Sequence, residues 1–228
     1  MVQVDSRPNV NFVINQLENF KGTTSSASPY GIGAAIENAV GILLNNDRRS
    51  DTQTHEIKTT EGKCDVTLFT KTPERGSTYD IVLHYGYYDR KNRKSYMKDI
   101  KSTTTDLYCK ADEKGIGIYD YSTNIEVCYW SHDHCSQGYN KITNILKVTT
   151  KSKIVGENKK NFSVEALQTF NNFNLFKFIE LLNSGAISIS PRRYFTSSSL
   201  SNISGKYPSR DRGCAFRISQ RYFNELYI

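Results

Sequence analysis

The run Asp51-Thr-Gln-Thr-His-Glu56-Ile-Lys58 decides how the fold of this chain is interpreted. Alternate residues of a strand point to the same face, so a strand over 55–59 puts Glu56 and Lys58 on one face and Ile57 on the other. Asp51 can turn back toward Glu56. Two carboxylates beside an ammonium suit metal-assisted phosphodiester hydrolysis, because Mg2+ prefers oxygen ligands and completes its shell with water and substrate phosphate. The same spacing is also that of an ordinary half-exposed strand.

The composition favours a polyanionic partner and excludes several classes of protein. The chain has 228 residues and a formal net charge of +7, which attracts nucleic acid and favours release of its counterions. No apolar run approaches the roughly 18 residues of a membrane span, and the first twenty residues lack the layout of a secretion signal. With an odd number of cysteines, five, we expect reduced thiols and a cytoplasmic location. Nucleotide-binding loops and hydrolase-triad motifs are absent.

Periodicity predicts one α/β (α+β) domain with a mixed sheet. Helical spacing predicts helices over 9–20, 33–44 and 172–183, the last of which stops at Gly185. Residues 21–28 are predicted to be a loop, residues 192–210 a long irregular segment, and residues 214–228 a strand and a short helix. Branched and aromatic residues predict strands over 55–59, 67–70, 79–88, 144–148, 162–170 and 187–189, and a hairpin formed by 115–121 and 124–130.

Four further blocks give the Glu56-x-Lys58 strand a specific setting. They are Gly-Ile-Gly-Ala-Ala-Ile-Glu-Asn-Ala-Val-Gly-Ile at 31–42, Leu-Phe-Thr-Lys-Thr-Pro at 68–73, Phe-Ile-Glu-Leu-Leu-Asn-Ser-Gly-Ala-Ile at 178–187, and Arg-Gly-Cys-Ala-Phe-Arg-Ile at 212–218. Together with that strand they resemble the MvaI/BcnI group of type II restriction endonucleases, in the PD-(D/E)xK superfamily. The N-terminal blocks are also similar to the mismatch-repair nicking enzyme MutH.

The resemblance implies a restriction-endonuclease-like fold, a mixed β-sheet core flanked by helices with an additional DNA-recognition region. It implies a single endonuclease domain over 1–228, with a catalytic subdomain at about 1–160 and a recognition region at about 161–228. It assigns Asp51 and Glu56 as Mg2+ ligands, Lys58 as the catalytic lysine and Glu37 as an accessory acid. Without the resemblance, Glu37 is more simply an ordinary surface residue of an amphipathic helix.

The resemblance also places sequence reading in the C-terminal third of the chain. Arginine offers paired donors to guanine in the major groove, and the group implies a short C/G-flanked site. The group has a histidine where Arg212 stands, and an acidic residue in the region of 190–192. Phosphate contact, which positions a protein without reading sequence, is an equally good interpretation of these arginines. The candidate DNA-binding residues are Arg192, Arg193, Arg210, Arg212 and Arg217.

Two other clusters carry potential chemistry. Cys128, His132, His134 and Cys135 are zinc-type ligands, but all four lie within one short stretch, whereas structural zinc usually clamps two separated pairs. Buried thiols and a polar turn are therefore the preferred interpretation. A basic run can be either a solvated loop or a track for DNA phosphates. Its lysines are Lys147, Lys151, Lys153, Lys159 and Lys160.

Three functions are compatible with these observations. The first is a Mg2+-dependent, sequence-specific endonuclease for double-stranded DNA, which the group implies to be a monomer that cuts the two strands in turn. The second is a MutH-like nickase of mismatch repair, and the third is a DNA-binding module without catalysis. The intact Asp51, Glu56 and Lys58 set favours an enzyme. A host that contains such an enzyme needs a cognate DNA methyltransferase, for which no stable complex with this chain is expected.

Overall fold

The computed structural model describes residues 5–24, 30–42, 49–62, 64–155, 159–195 and 213–228. Helices and strands are mixed along the chain. The α-helices are α1 Val10–Leu17, α2 Tyr30–Ala39, α3 Thr78–Tyr85, α4 His132–Lys141 and α5 Leu175–Asn183, and a 3-10 helix spans Gln220–Leu226. The strands are β1 Lys21–Thr23, β2 Glu56–Glu61, β3 Val66–Lys71, β4 Tyr87–Tyr88, β5 Lys94–Tyr96, β6 Leu107–Ala111, β7 Gly115–Asp120, β8 Glu126–Ser131, β9 Ile145–Ile154, β10 Lys160–Phe170, β11 Ile187–Ser190, β12 Arg193–Phe195 and β13 Cys214–Ile218.

The strands form four sheets in the described part of the chain. The largest has the order β1-β10-β9-β2, and its β2 and β9 run parallel while the other neighbours are antiparallel. The three-stranded sheets have the orders β11-β13-β3, β12-β5-β4 and β6-β7-β8. The predicted mixed α+β fold is therefore confirmed. None of the helices in the described ranges is long and apolar enough to cross a bilayer.

The chain divides into two compact units, each made of segments that are not consecutive in sequence. The first unit contains Met1–Val66, Tyr139–Asn174 and Phe223–Ile228, and the second contains Thr67–Gly138 and Leu175–Tyr222. The functional division at about residue 160 stays a prediction.

The core of the first unit lies against one face of the four-stranded sheet. Helices α1 and α2 supply side chains spaced three or four residues apart, such as Val13 with Leu17 and Ile32 with Ile36, and these are buried. Strand β2 contributes Ile57 to this core. Because strand residues alternate, Glu56 and Lys58 face away from it. The other buried members are Val40, Leu146, Val148 and Phe162.

The second unit has an aromatic core around Phe216 of β13. Its ring centroid lies 4.6 Å from that of Phe69, 5.5 Å from that of Trp130 and 6.2 Å from that of Phe178. Helix α5 buries Phe178 and Leu182. It ends before Gly185, whose φ of +79° is the left-handed conformation expected at a helix stop.

The strand prediction over 79–88 is wrong for 79–85, which lie in helix α3, and is confirmed only for Tyr87–Tyr88, which form β4. Aromatic and branched residues suggested a strand, but Ser77 caps a helix by accepting a hydrogen bond from the amide of Asp80 at 3.1 Å. Tyr79, Ile81 and Val82 are buried, so tertiary packing of the helix overrides strand propensity. The Ser-x-x-Asp capping pattern was the signal for this helix.

Other boundaries also differ from the predictions. Residues 21–23, predicted to be a loop, form β1, since Lys21 to Thr23 pair with β10. Strand β6 and helix α4 were not predicted, and the helix predicted over 33–44 runs from Tyr30 to Ala39. In the segment 192–210, Arg193–Phe195 forms β12, and residues 196–210 lie outside the described residues.

Candidate active site

Strand β2 begins at the site and holds its central carboxylate. The amide of Glu56 donates to the carbonyl oxygen of Asn144 at 3.0 Å, and Glu56 lies opposite Ile145 in the parallel pairing with β9. The strand presents Glu56 and Lys58 on the sheet face that is not covered by α1 and α2. Only 5% of the Glu56 side chain is exposed, so its charge requires nearby compensation.

Two lysines contact the same oxygen of Glu56. Lys58 Nζ lies 2.9 Å from Glu56 Oε1, as the strand spacing predicted. Lys141 Nζ, at the end of α4, lies 3.3 Å from the same atom. Lys141 was missed by the sequence reasoning, because α4 was not predicted: its ten residues are mostly polar, and only Cys135 and Tyr139 are buried. The site therefore contains one more cation than expected.

Asp51 turns back toward β2 through a tight loop. Its Oδ2 accepts a hydrogen bond from the amide of Ile57 at 2.9 Å. Thr52 shapes the loop, since its hydroxyl oxygen accepts from the amide of His55 at 2.8 Å and its own amide donates to the carbonyl of His55 at 2.9 Å. The His55 ring meets Asn171 Oδ1 at 3.0 Å. These contacts fix Asp51 beside the first two residues of β2.

The environment of the site disfavours the ionised forms of Asp51 and Glu37. Burial, followed by the negative charge of Glu56, raises the pKa of Asp51 to about 6, against the opposing effects of the Ile57 amide, Lys141 and Lys58. The pKa of Glu37 is raised in the same way, first by burial and then by the charge of Glu56. Helix α2 therefore brings the half-buried Glu37 into the electrostatic field of the site. A bound cation would relieve this repulsion.

The donor set fits a magnesium ion with few protein ligands. Glu56 Oε2 is buried and makes no hydrogen bond in the described part of the chain, so an acceptor is left for another ligand. Asp51 uses Oδ2 for the Ile57 amide, which leaves Oδ1 for a ligand. No group of three or more His, Cys, Asp or Glu side chains is arranged for a metal among the described residues. Mg2+ can be held by two carboxylates, because it keeps several waters and takes phosphate oxygens.

Lys147 adds a buried cation to the same sheet face. It lies directly opposite Lys58 in the β2–β9 pairing and is 6% exposed. Its Nζ is 5.1 Å from the ring centroid of Phe223 and 6.0 Å from that of Phe170. Burial lowers the pKa of this ammonium, and the two aromatic faces stabilise its charged form.

Of the five predicted DNA-binding arginines, two bind neighbouring side chains, one is exposed and two lie outside the described residues. Arg217 Nη1 lies 3.5 Å from Asp99 Oδ2, and its side chain is 14% exposed. Arg193 donates to Thr78 Oγ1 at 3.0 Å, whereas Arg192 is exposed and has a φ of +44°. Arg210 and Arg212 lie outside the described residues. Asp99 also accepts a hydrogen bond from Ser190. A carboxylate therefore lies next to residues 190–192, the region in which the group that the sequence resembles has an acidic residue.

The cysteine and histidine cluster is not arranged as a zinc site. Cys128 and Cys135 are buried, which agrees with the preferred interpretation of buried thiols. His132 Nε2 meets the carbonyl of Asp112 at 2.8 Å, and His134 Nε2 meets the carbonyl of Thr72 at 3.0 Å. No metal-holding group forms from these residues, all of which the structure describes.

Comparison with known proteins identifies the family. A model of the MvaI/BcnI restriction endonuclease family matches residues 13–227. The chain belongs to this family. It is therefore a restriction endonuclease, a type II site-specific deoxyribonuclease that acts on DNA. No curated protein sequence matches it.

Solved structures agree with the family fold. A structure described as "Restriction endonuclease MvaI-cognate DNA substrate complex" matches with a TM-score of 0.77 and 20% identity, over 99% of this chain and 98% of that chain. A second, "Restriction endonuclease MvaI in the absence of DNA", matches with a TM-score of 0.54 and 21% identity, over 100% of this chain and 98% of that chain. The predicted restriction-endonuclease-like fold is confirmed.

Proposed function

We propose that this MvaI/BcnI-family enzyme hydrolyses double-stranded DNA with Mg2+ held by Asp51 and Glu56 and with Lys58 as the catalytic lysine. The observation that carries the proposal is Glu56. It is a buried carboxylate with one oxygen bound by two lysines and the other without a hydrogen bond in the described part of the chain. A buried carboxylate oxygen without a hydrogen bond is available to bind a metal ion.

Each side chain has a distinct part in the proposed reaction. When bound, Mg2+ supplies positive charge that offsets the charge developing on the scissile phosphate. Lys58, held by Glu56 at 2.9 Å, donates a hydrogen bond that orients the attacking water. Lys141 adds a second cation for phosphate oxygens, and Glu37 acts as an accessory acid in the electrostatic field of Glu56. The nearby positive charge also attracts the DNA backbone.

Other features of the proposed activity go beyond what the family assignment includes. We propose that a monomer cuts the two strands one after the other at a short C/G-flanked site, in the cytoplasm, and that a separate methyltransferase protects the host. The recognition region at about 161–228, with Arg192, Arg193, Arg210, Arg212 and Arg217, would contact the site. Plasmid digestion tests strand order, since sequential cutting accumulates nicked circles before linear DNA, while a nickase would never give linear product.

Substitution of Glu56 and Lys58 tests the chemistry. Glu56→Ala and Lys58→Ala should each slow plasmid cleavage in Mg2+ by at least about 100-fold, because each removes several kcal/mol of transition-state stabilisation. DNA binding, measured by fluorescence anisotropy in Ca2+, should stay within a few-fold of the unsubstituted protein. Near-normal cleavage by either variant would overturn the proposed mechanism.

Glu61→Gln provides a matched control on the same strand. Glu61 lies on the opposite face of β2, where its Oε2 is 3.3 Å from Lys160 Nζ. This substitution removes a carboxylate from β2 without altering the proposed metal site. It should leave the cleavage rate unchanged.

A further inference from the structure

Two polar rows cross three strands of the large sheet in the first unit. Lys21 of β1, Ser163 of β10 and Lys151 of β9 lie side by side in the pairing register. The next row contains Thr23, Asn161 and Lys153. We call the six residues of these two rows the lysine rows. Only Lys151 and Lys153 belong to the basic run of the sequence, since Lys21 reaches the rows through β1.

The lysine rows lie on the same sheet face as the catalytic carboxylate. Strand β9 is continuous from Ile145 to Ile154, so Lys147, Lys151 and Lys153 share one face by alternation. Lys147 lies opposite Lys58 in the β2–β9 pairing, so this is the sheet face on which Glu56 and Lys58 lie. The other face has its own contacts: Ser152 donates to Glu61, and Phe162 is buried in the core.

The charge of the lysine rows is poorly neutralised within the protein. Lys21, Lys151 and Lys153 are exposed, and none has a carboxylate within 4.0 Å in the described ranges. One acidic group approaches, since Glu165 accepts a hydrogen bond from Ser163 at 3.0 Å, but the three ammonium groups outnumber it. The rows also line a surface depression of about 510 Å3. An exposed, concave and cationic surface fits a polyanion.

The position of the lysine rows indicates which part of a DNA duplex they would meet. Lys151 is six residues along β9 from Ile145, the residue opposite Glu56. At about 3.3 Å per residue this is roughly 20 Å along the strand. We take β9 to run along the duplex axis. Duplex DNA rises about 3.4 Å per base pair, so 20 Å then corresponds to about six base pairs from the scissile phosphate. A short recognition site does not extend that far from its own cut.

We propose that the lysine rows bind backbone phosphates of duplex DNA that flanks the recognition site. The inference rests on the proposed function, because it takes the Glu56 and Lys58 region as the point of cleavage. The Thr23 hydroxyl donates a hydrogen bond to Asn161 Oδ1 at 2.9 Å. The side-chain amide nitrogen of Asn161 can therefore donate to a phosphate oxygen. Such contacts increase affinity without adding sequence specificity.

The test compares short and long duplexes that carry the same site. The site is mapped by sequencing the ends of digested unmethylated DNA, and is then placed in duplexes with flanks of about four or about fifteen base pairs. The test variant carries Lys21→Gln, Lys151→Gln and Lys153→Gln. A control variant loses three exposed lysines of the second unit, through Lys91→Gln, Lys114→Gln and Lys177→Gln. Circular dichroism and thermal melting check that both variants are folded.

The expected result depends on flank length. On the long duplex in Ca2+, the test variant should bind at least about tenfold more weakly, and its slope of log affinity against log salt should fall by up to about three, since each lost phosphate contact removes about 0.9. On the short duplex it should match the unsubstituted protein. Equal affinities of the test variant and the unsubstituted protein on the long duplex would overturn the inference, as would equal losses on both duplexes.

The same reagents separate this inference from the proposed function. Cleavage of the short duplex in Mg2+ depends on Glu56 and Lys58 and not on the lysine rows. If Glu56→Ala still cuts this duplex, the proposed catalytic site is wrong. If cutting depends on Glu56 but flank length has no effect on the lysine variant, only the flanking contact is wrong.

Discussion

Lys141 Nζ lies 3.3 Å from Glu56 Oε1, although the two residues come from different elements far apart in sequence. The contact places the last residue of α4 at the first residue of β2. With Lys58 on the same oxygen, a buried carboxylate is compensated by two cations. Both lysine side chains remain partly exposed, at 17% for Lys58 and 28% for Lys141, so they can reach a phosphate group.

Lys141→Ala should slow DNA cleavage by about 10- to 100-fold, because it removes a cation that stabilises charge developing on phosphate. Lys141→Arg should recover part of this loss, since it restores the charge with a different shape. Single-turnover cleavage in Mg2+ measures the effect, and DNA affinity in Ca2+ should change much less. Lys98→Ala, which removes an exposed lysine bonded to Asp106 at 2.8 Å, is the control. Equal rates for the Lys141 and Lys98 variants would exclude a role for Lys141.

Asp51→Asn should stabilise the metal-free protein at pH 8 and leave it unchanged at pH 4. The folded pKa of Asp51, about 6, lies above its ordinary value of 3.8, so the folded state holds its proton more strongly than the unfolded chain. As pH rises from about 4 to about 6, the unfolded chain ionises first and the folded state loses on the order of 2 kcal/mol. Asparagine removes this loss and can still accept from the Ile57 amide.

Urea unfolding in EDTA at both pH values measures the Asp51 effect. An Asp51→Asn variant that is less stable than the unsubstituted protein at pH 8 would contradict the prediction. Added Mg2+ should stabilise the unsubstituted protein much more than the variant, because a ligand stabilises only the state that binds it.

Phe216→Ala should destabilise the second unit by about 3 to 5 kcal/mol, because it leaves a cavity among Phe69, Trp130 and Phe178. Trp130 is the single tryptophan, so its fluorescence during urea unfolding reports this core directly. Phe176→Ala is the control, since that ring is 83% exposed and its loss should change stability by less than about 0.5 kcal/mol. Comparable midpoints for the two variants would show that the aromatic core is not closely packed.

Gly76→Ala should be much more destabilising than Gly185→Ala. Both glycines have positive φ, +72° and +79°, and an alanine there costs about 1 to 2 kcal/mol for conformation alone. A Cβ at Gly76 would lie 2.0 Å from the carbonyl oxygen of Val127, whereas at Gly185 the nearest atom is the Ser102 hydroxyl at 3.3 Å. The clash should add about 1 to 3 kcal/mol at Gly76. Thermal unfolding of both variants measures the difference, and equal melting temperatures would contradict it.

The sequence predicted the elements whose local pattern and tertiary environment agree. Strand β2 has its apolar Ile57 toward the core and Glu56 and Lys58 on the other face, as alternation required. Helices α1 and α5 follow from apolar periodicity. Helix α3 was predicted to be a strand because its branched and aromatic residues fit either structure, and burial of Tyr79 and Ile81 decided between them.

The sequence by itself determined the mixed fold, the family and the local geometry around Asp51, Glu56 and Lys58, because residues close in sequence are positioned by the period of their own element. Only the tertiary structure decided which distant residues join them. The parallel pairing of β2 with β9 sets Lys147 beside Lys58, and helix α4 brings Lys141 to Glu56. Pairing of β1 with β10 adds Lys21 to the lysine rows. Strand register and helix docking are long-range contacts, and no local pattern in a single sequence encodes them.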